Sequence, residues 1–258
     1  MTTRVFVKRD AAAPQGFFGC EAAGLQWLSE VSDGVPCARV IDSDDASLTL
    51  ERVESGRPGP ATARAFGVRL AHTHDAGAAA FGAPPERWRG RGFFGPLHRP
   101  LPMSYAGHRS WGEFYAGERL APMLELARRG LDRDTVTALQ IIMDRCLAGD
   151  FDDDDGPARL HGDLWSGNLI WTDDGVVLID PAAHGGHRET DLAMLALFGC
   201  PHLDAILAGY QSVHPLMPGW RDRIVLHQLY PLLAHVVLFG GSYSGQTHAA
   251  VRRSLEIS

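Results

Sequence analysis

The spacing of apolar residues along the chain changes character near residue 54. Before that point the apolar runs are short. Val5-Phe6-Val7 reads as a strand ending at Lys8, and the stretch from Phe17 to Ser29 carries Leu25 and Leu28 on one helical face. Two further strands follow, around Ala38–Ile41 and Ser47–Val53, with Asp42–Asp45 as the turn between them. Glu54-Ser55-Gly56-Arg57-Pro58-Gly59-Pro60 then interrupts regular structure, because proline removes a backbone donor and glycine relaxes the chain. Beyond it helical spacing dominates, over about 61–74, 110–129, 132–149, 189–198, 202–211 and 219–240, broken by a β-rich island at 159–180. Residues 81–109, rich in Gly, Pro and Arg, read as a loop of the length that usually covers a site. The expectation is an α+β protein of two lobes. A small β-rich lobe spans 1–54 and a larger helical lobe spans 55–258, with a ligand cleft at the hinge.

Composition narrows the function classes. A chain of 258 residues can bury a core without disulfide or metal staples. The net charge of −7 disfavours a non-specific nucleic-acid binder. No apolar run looks long enough to span a bilayer, so neither a nucleic-acid partner nor a membrane is expected. Cys20, Cys37, Cys146 and Cys200 stand far apart, which argues against a disulfide framework or structural zinc. The first residues lack a secretory apolar stretch, and a cytoplasmic location is expected. The acidic run Asp152–Asp155 reads as a solvated loop.

The chemistry concentrates in Leu160-His161-Gly162-Asp163-Leu164-Trp165-Ser166-Gly167-Asn168, followed by Val176-Val177-Leu178-Ile179-Asp180-Pro181. An Asp is followed by an Asn five positions on, then by a hairpin turn at Asp174-Gly175 and a strand ending in a second Asp. Such a loop and hairpin bring Asp163, Asn168 and Asp180 to one end. Hard oxygen donors in that number suit a Mg²⁺–phosphate site, since Mg²⁺ takes few protein ligands and completes its octahedron with water and phosphate. The spacing is also that of kinase-like enzymes: a base Asp, a metal-binding Asn, and a metal-binding Asp after a hairpin. Lys8 at a strand end suits a phosphate anchor, with Glu21 on the next helix as its partner. The strand Leu48–Val53, running into the linker, stands where main-chain groups would meet adenine.

These residues resemble the fructosamine kinase (ketosamine-3-kinase) family, a kinase-like branch near the aminoglycoside and choline kinases. The resemblance rests on His161–Asn168, Asp180-Pro181-Ala182 and Gly186-His187-Arg188-Glu189 with Asp191-Leu192-Ala193-Met194. Trp111–Tyr115, Arg119-Leu120 and Phe239-Gly240-Gly241 with Tyr243 support it. It implies a protein-kinase-like two-lobe fold and ATP-dependent phosphorylation of a sugar hydroxyl of a free or protein-bound ketoamine, promoting deglycation. It also implies Asp163 as base, Asn168 and Asp180 on Mg²⁺, Lys8 and Glu21 on the ATP phosphates, and adenine at Glu51, Arg52 and Val53. Trp165, His187, Arg188 and His235 are then expected toward substrate, and His161 and Asp191 as structural braces. An aminoglycoside or choline-type kinase, and a catalytically weak kinase-like binding module, are the competing readings.

One departure from the family pattern lies at the front. Seven residues precede Lys8 and none is glycine, whereas a kinase-like lobe places a strand pair and a Gly-rich turn there. A small lobe lacking that first hairpin is expected to bind ATP weakly and turn over slowly.

Overall fold

The computed structural model describes residues 4–257. Strand β1 (Val5–Arg9) pairs antiparallel with β3 (Ser47–Glu51), and β3 pairs with β2 (Val40–Ser43), giving the sheet order β1-β3-β2. Leu48 and Leu50 alternate inward from β3 onto helix α1 (Phe17–Ser29), where Phe18, Leu25 and Phe17 complete a small core. Pro36–Ala38, just before β2, pairs with Leu178 of the second lobe. The Ala38 amide donates to the Leu178 carbonyl (2.9 Å), and the Leu178 amide donates to Pro36 (2.8 Å). This two-bond clasp fixes the Lys8 sheet against the hairpin that ends in Asp180.

The helical lobe starts at α2 (Pro60–Asp75), whose proline takes a first-turn position where no amide donor is needed. The region 81–109 is less irregular than its composition suggests. It folds a short hairpin, β4 (Gly92–Phe94) with β5 (Leu101–Met103), too short to leave a periodic signature. The helix expected over 110–129 has three parts: α3 (Trp111–Phe114), a π-helical Tyr115–Leu120 and α4 (Ala121–Ala127). Asp132 caps α5 (Arg133–Ala148) by accepting from the Thr135 amide, and Gly149 closes it in the left-handed region.

Strand β6 (Ala158–Leu160) leads into the catalytic-type loop and pairs with β9 (His184–Gly186); between them lies the hairpin β7 (Leu169–Thr172) and β8 (Gly175–Leu178). Helices α6 (Glu189–Leu197), α7 (Leu203–Gln211), α8 (Trp220–His227), α9 (Leu229–Phe239) and α10 (Ser244–Leu255) finish the chain. By length and composition Trp220–Leu255 is apolar enough to cross a membrane, contrary to the sequence reading. Its apolarity serves the core instead: Leu229, Leu232, Leu233 and Ala234 are fully buried, in one cluster with Leu120, Leu139 and Ile142.

Helices α2 and α7 meet backbone to backbone. A Cβ at Gly67 would overlap the Ile206 carbonyl oxygen, and one at Gly209 would overlap that of Arg64. Only glycine at both positions permits this approach.

Candidate active site

The loop after β6 is held from behind. Asp191 on α6 is fully buried and accepts from the His161 amide (2.8 Å) and the Gly162 amide (2.9 Å). His74, at the end of α2, adds a third contact to the same carboxylate (3.2 Å) and meets the Tyr210 hydroxyl through its other nitrogen (2.8 Å). Burial works against the Asp191 charge, but the His74 hydrogen bond and the Gly162 amide keep its carboxyl below the usual carboxylate range. Gly162 has φ +82°, and a Cβ there would overlap the Ala182 carbonyl, so the loop turns on a glycine. His161 reaches forward, its Nε2 donating to the Ile179 carbonyl (2.9 Å) and its Nδ1 accepting the Asp163 amide (3.2 Å).

This frame projects Asp163, Asn168 and Asp180 together. Asn168 Nδ2 donates to the Asp163 carbonyl (2.8 Å), to its carboxylate (3.3 Å) and toward the Asp180 carbonyl (3.5 Å). With the amide nitrogen so engaged, the Asn168 oxygen is left as a donor atom for a cation. Asp180 adopts φ +57°, a left-handed conformation rare outside glycine, imposed where β8 turns into Pro181. Burial lifts the Asp163 carboxyl to about 7. Its Asn168 hydrogen bond opposes that rise, and the charges of Asp180 and Asp191 add to it.

Lys8 arrives from the other lobe. Its ammonium donates to Glu21 (2.6 Å) and to Asp180 (2.5 Å). Burial works to lower the lysine, and the two carboxylates override it, so its pKa is raised and the side chain is cationic. Lys8, Glu21, Asp163, Asn168 and Asp180 all line one cavity of about 560 Å³. A second cavity of about 270 Å³ is bordered by Glu51, Arg52 and Val53, and Asp180 belongs to both. The Glu51 carboxylate itself turns to Arg39 (2.9 Å), and the Glu51 and Arg52 amides donate to the Arg39 and Arg4 carbonyls (2.8 and 2.9 Å).

Trp165 and His235 also line the larger cavity. His187 and Arg188 do not, and here the sequence expectation is corrected. His187 is buried between Trp111 and His227 (centroids 5.4 and 5.0 Å). Its Nδ1 accepts the Glu189 amide (3.2 Å) while Nε2 donates to Asp153 (3.2 Å). Arg188 is buried too, donating to Asp155 (3.1 Å), Asp75 (3.0 Å) and the Tyr210 hydroxyl (3.0 Å). Their partners correct a second expectation. In the run Asp152–Asp155, Asp153 and Asp155 turn inward as counter-ions, and Asp152 caps α3 by accepting the Gly112 amide (2.7 Å).

Two contributors escaped the sequence reading. His74 carried no motif signal beyond its position at a helix end. Phe93, Phe94 and Leu97, from the β4–β5 hairpin, wall the larger cavity, and the length of the 81–109 segment was the one hint of that.

The family model for fructosamine kinase matches residues 1–257. The chain belongs to the fructosamine kinase family. Among the family's curated members, the probable ketoamine kinase slr1563 of Synechocystis is 35% identical over 259 residues, spanning 98% of this chain and 84% of that protein. A Thermobifida fusca chain, solved under a provisional fructosamine-3-kinase designation, superposes with a TM-score of 0.90 at 46% identity, covering 98% of this chain and 86% of that one. An aminoglycoside phosphotransferase, APH(4)-Ia, solved with ADP and hygromycin B, shares the fold alone, at TM-score 0.53 and 17% identity over 90% of this chain and 83% of that one. Family membership makes the protein an ATP-dependent small-molecule kinase with a protein-kinase-like fold.

Proposed function

We propose that this fructosamine kinase family member transfers the γ-phosphoryl group of ATP to a sugar hydroxyl of a ketoamine, of the fructosamine or ribulosamine type. The observation that carries this reading is the pair of cavities meeting at Asp180. The smaller one, beside the main chain of Glu51–Val53, fits adenine, and the larger one gathers Lys8, Asp163 and Asn168 where the phosphates and the acceptor would meet. The family assignment supports the ketoamine over other alcohols.

The donor set fits Mg²⁺: one carboxylate, Asp180, and one free amide oxygen, Asn168, both hard, with room for phosphate oxygens. When bound, the ion would neutralise charge on the transferring phosphoryl group. The chain's own residues do the rest. Lys8, oriented by Glu21, holds the phosphates. Asp163 accepts the hydroxyl proton as the sugar oxygen bonds to the γ-phosphorus and the bond to the ADP oxygen breaks. Asn168 holds the Asp163 backbone and carboxylate in place for that transfer. Trp165 and His235 contact the substrate from the cavity wall. The phosphate ester leaves more readily than the hydroxyl it replaces, which is how the step would promote deglycation.

The test is transfer of labelled phosphate from Mg-ATP to fructosyl and ribulosyl amines, beside kanamycin and choline. Transfer to the ketoamines, lost on adding a chelator, is the expected result. Transfer confined to kanamycin or choline overturns the reading, and no transfer to any acceptor returns the protein to a binding module.

A further inference from the structure

The charged groups on the larger cavity all belong to its phosphoryl-transfer end: Lys8, Glu21, Asp163 and Asp180. Lys8, the one basic side chain among the described lining residues, is already paired with Glu21 and Asp180. Apart from Asn168 and Cys20, the rest of the wall is apolar or aromatic. Trp165, Phe198, His235, Phe239 and Tyr243 form a connected cluster, with neighbouring ring centroids 6.2, 4.8, 5.3 and 4.8 Å apart for Trp165–Phe198, Phe198–His235, His235–Phe239 and His235–Tyr243. Trp165 remains 38% exposed and Phe239 54%. Large aromatic surface left open on a cavity wall marks a place where an apolar ligand group gains by displacing water.

Beside the Tyr243 hydroxyl and the Trp165 indole N–H, His235 brings a ring-nitrogen acceptor to this cluster. Because a carbonyl oxygen can only accept, Nδ1 carries the proton and donates to Pro231 (2.7 Å). Burial holds the imidazole below its ordinary pKa, so the ring is neutral near pH 7 and its Nε2 is an acceptor. The nitrogen of a ketoamine is a secondary amine, protonated near neutral pH. An acceptor ringed by aromatic faces suits such a cation through a hydrogen bond and through its attraction to π-systems. A carboxylate one carbon from that nitrogen would lie against the same aromatic faces with only the adduct's own ammonium beside it. No unpaired lysine or arginine is among the described lining residues, and Arg99, which donates to the Leu238 carbonyl (3.0 Å), is not one of them. Losing water around a charge with so little compensation is disfavoured.

Resting on the ketoamine-kinase reading above, we propose that the Trp165–Phe198–His235–Phe239–Tyr243 cluster is a subsite for the nitrogen substituent. It selects ketoamines of alkyl and aralkyl amines over those formed at the α-nitrogen of amino acids. The discriminating pair is the ketoamine of 2-phenylethylamine and that of phenylalanine, which differ by one carboxylate, each prepared with fructose and with ribulose. The phenylethylamine adduct is expected to show a kcat/KM at least about tenfold higher. Phe239→Arg, which offers the carboxylate a partner at an exposed position, is expected to narrow the gap to less than about threefold. Equal turnover of the two adducts by the wild type, or a gap unmoved by Phe239→Arg, overturns the subsite while leaving the ketoamine-kinase reading intact. Transfer to neither adduct, with transfer to kanamycin or choline, overturns both.

Discussion

Two polar clusters lie within thirty residues of each other in the sequence, and the fold uses them oppositely. Asp163, Asn168 and Asp180 sit on a cavity, share contacts sparingly and leave oxygen atoms free. His187, Arg188 and Glu189 are buried, and each is met by at least two partners: Asp153 and the Glu189 amide for the histidine, Asp155, Asp75 and Tyr210 for the arginine, and Arg223 and His227 for the glutamate. A motif's polar letters therefore do not say which way they face. The working cluster keeps its hydrogen-bonding capacity partly unspent, whereas the bracing cluster closes its own. Such closed networks are costly to open, because removing one member strands the others in low dielectric.

The contrast can be broken in four ways, beginning with the largest effect. Asp163→Asn should cut phosphate transfer by about 10²- to 10⁴-fold, the range for losing a general base, with the melting temperature nearly unchanged. A folded Asp163→Asn protein with full transfer would remove that residue from the chemistry. Arg188→Ala should do the reverse. It is expected to cost about 3–5 kcal/mol of stability, lowering the melting temperature by about 10 °C, while KM for the ketoamine stays unchanged in the protein that remains folded. A raised KM with normal melting would put Arg188 back at the substrate.

Acid should act on the bracing cluster next. Burial works to raise Glu189 and Asp153, but the nearby His227 imidazole (3.4 Å) and the Arg223 hydrogen bonds at the first, and the His187 hydrogen bond at the second, hold both carboxyls at about 2. Both native values lie below the ordinary 4.5 and 3.8, so their stabilisation is complete above those values and is lost as pH falls toward 2. For Glu189 the full loss is on the order of 3 kcal/mol, of which about 2 kcal/mol falls between pH 6 and pH 3, to be read from denaturant midpoints over that range. A flat profile over that range would show that the cluster does not store stability in its charges. The smallest effect is expected at Glu51→Ala. Its side chain pairs with Arg39 at the exposed surface, so KM for ATP should move less than about threefold; a larger change would give adenine a side-chain contact.

The catalytic-type loop could be read from the chain because its chemistry depends on residue type at fixed local spacing, and the hairpin between Asn168 and Asp180 preserves that spacing in space. The cavity wall could not. Phe93, Phe94 and Leu97 stand in a segment without period, and they reach the site only through a three-residue strand pairing that depends on the rest of the fold. The π-helical stretch at Tyr115–Leu120 is invisible to helical spacing, since it differs from its flanks by hydrogen-bond offset and not by composition. Helix α10 was missed because Ser244, Gly245, Gln246 and Thr247 open it with a turn-like composition, although Thr247, Ala250, Val251 and Ser254 bury one face. The inward turn of Asp153 and Asp155 depended on arginines and histidines far along the chain, which no local pattern contains.

The glycine contact between α2 and α7 gains a meaning from where α2 ends. Gly67 lies two helical turns before His74, and His74 is the side chain that reaches across to Asp191 behind the loop. The separation of two helix axes is thus translated into the placement of the imidazole that donates to Asp191 behind the loop. An enzyme built this way carries part of its catalytic tolerance in residues that have no side chain at all. A single added methyl at Gly67 or Gly209 would be felt as heat sensitivity of turnover, far from anything that touches substrate.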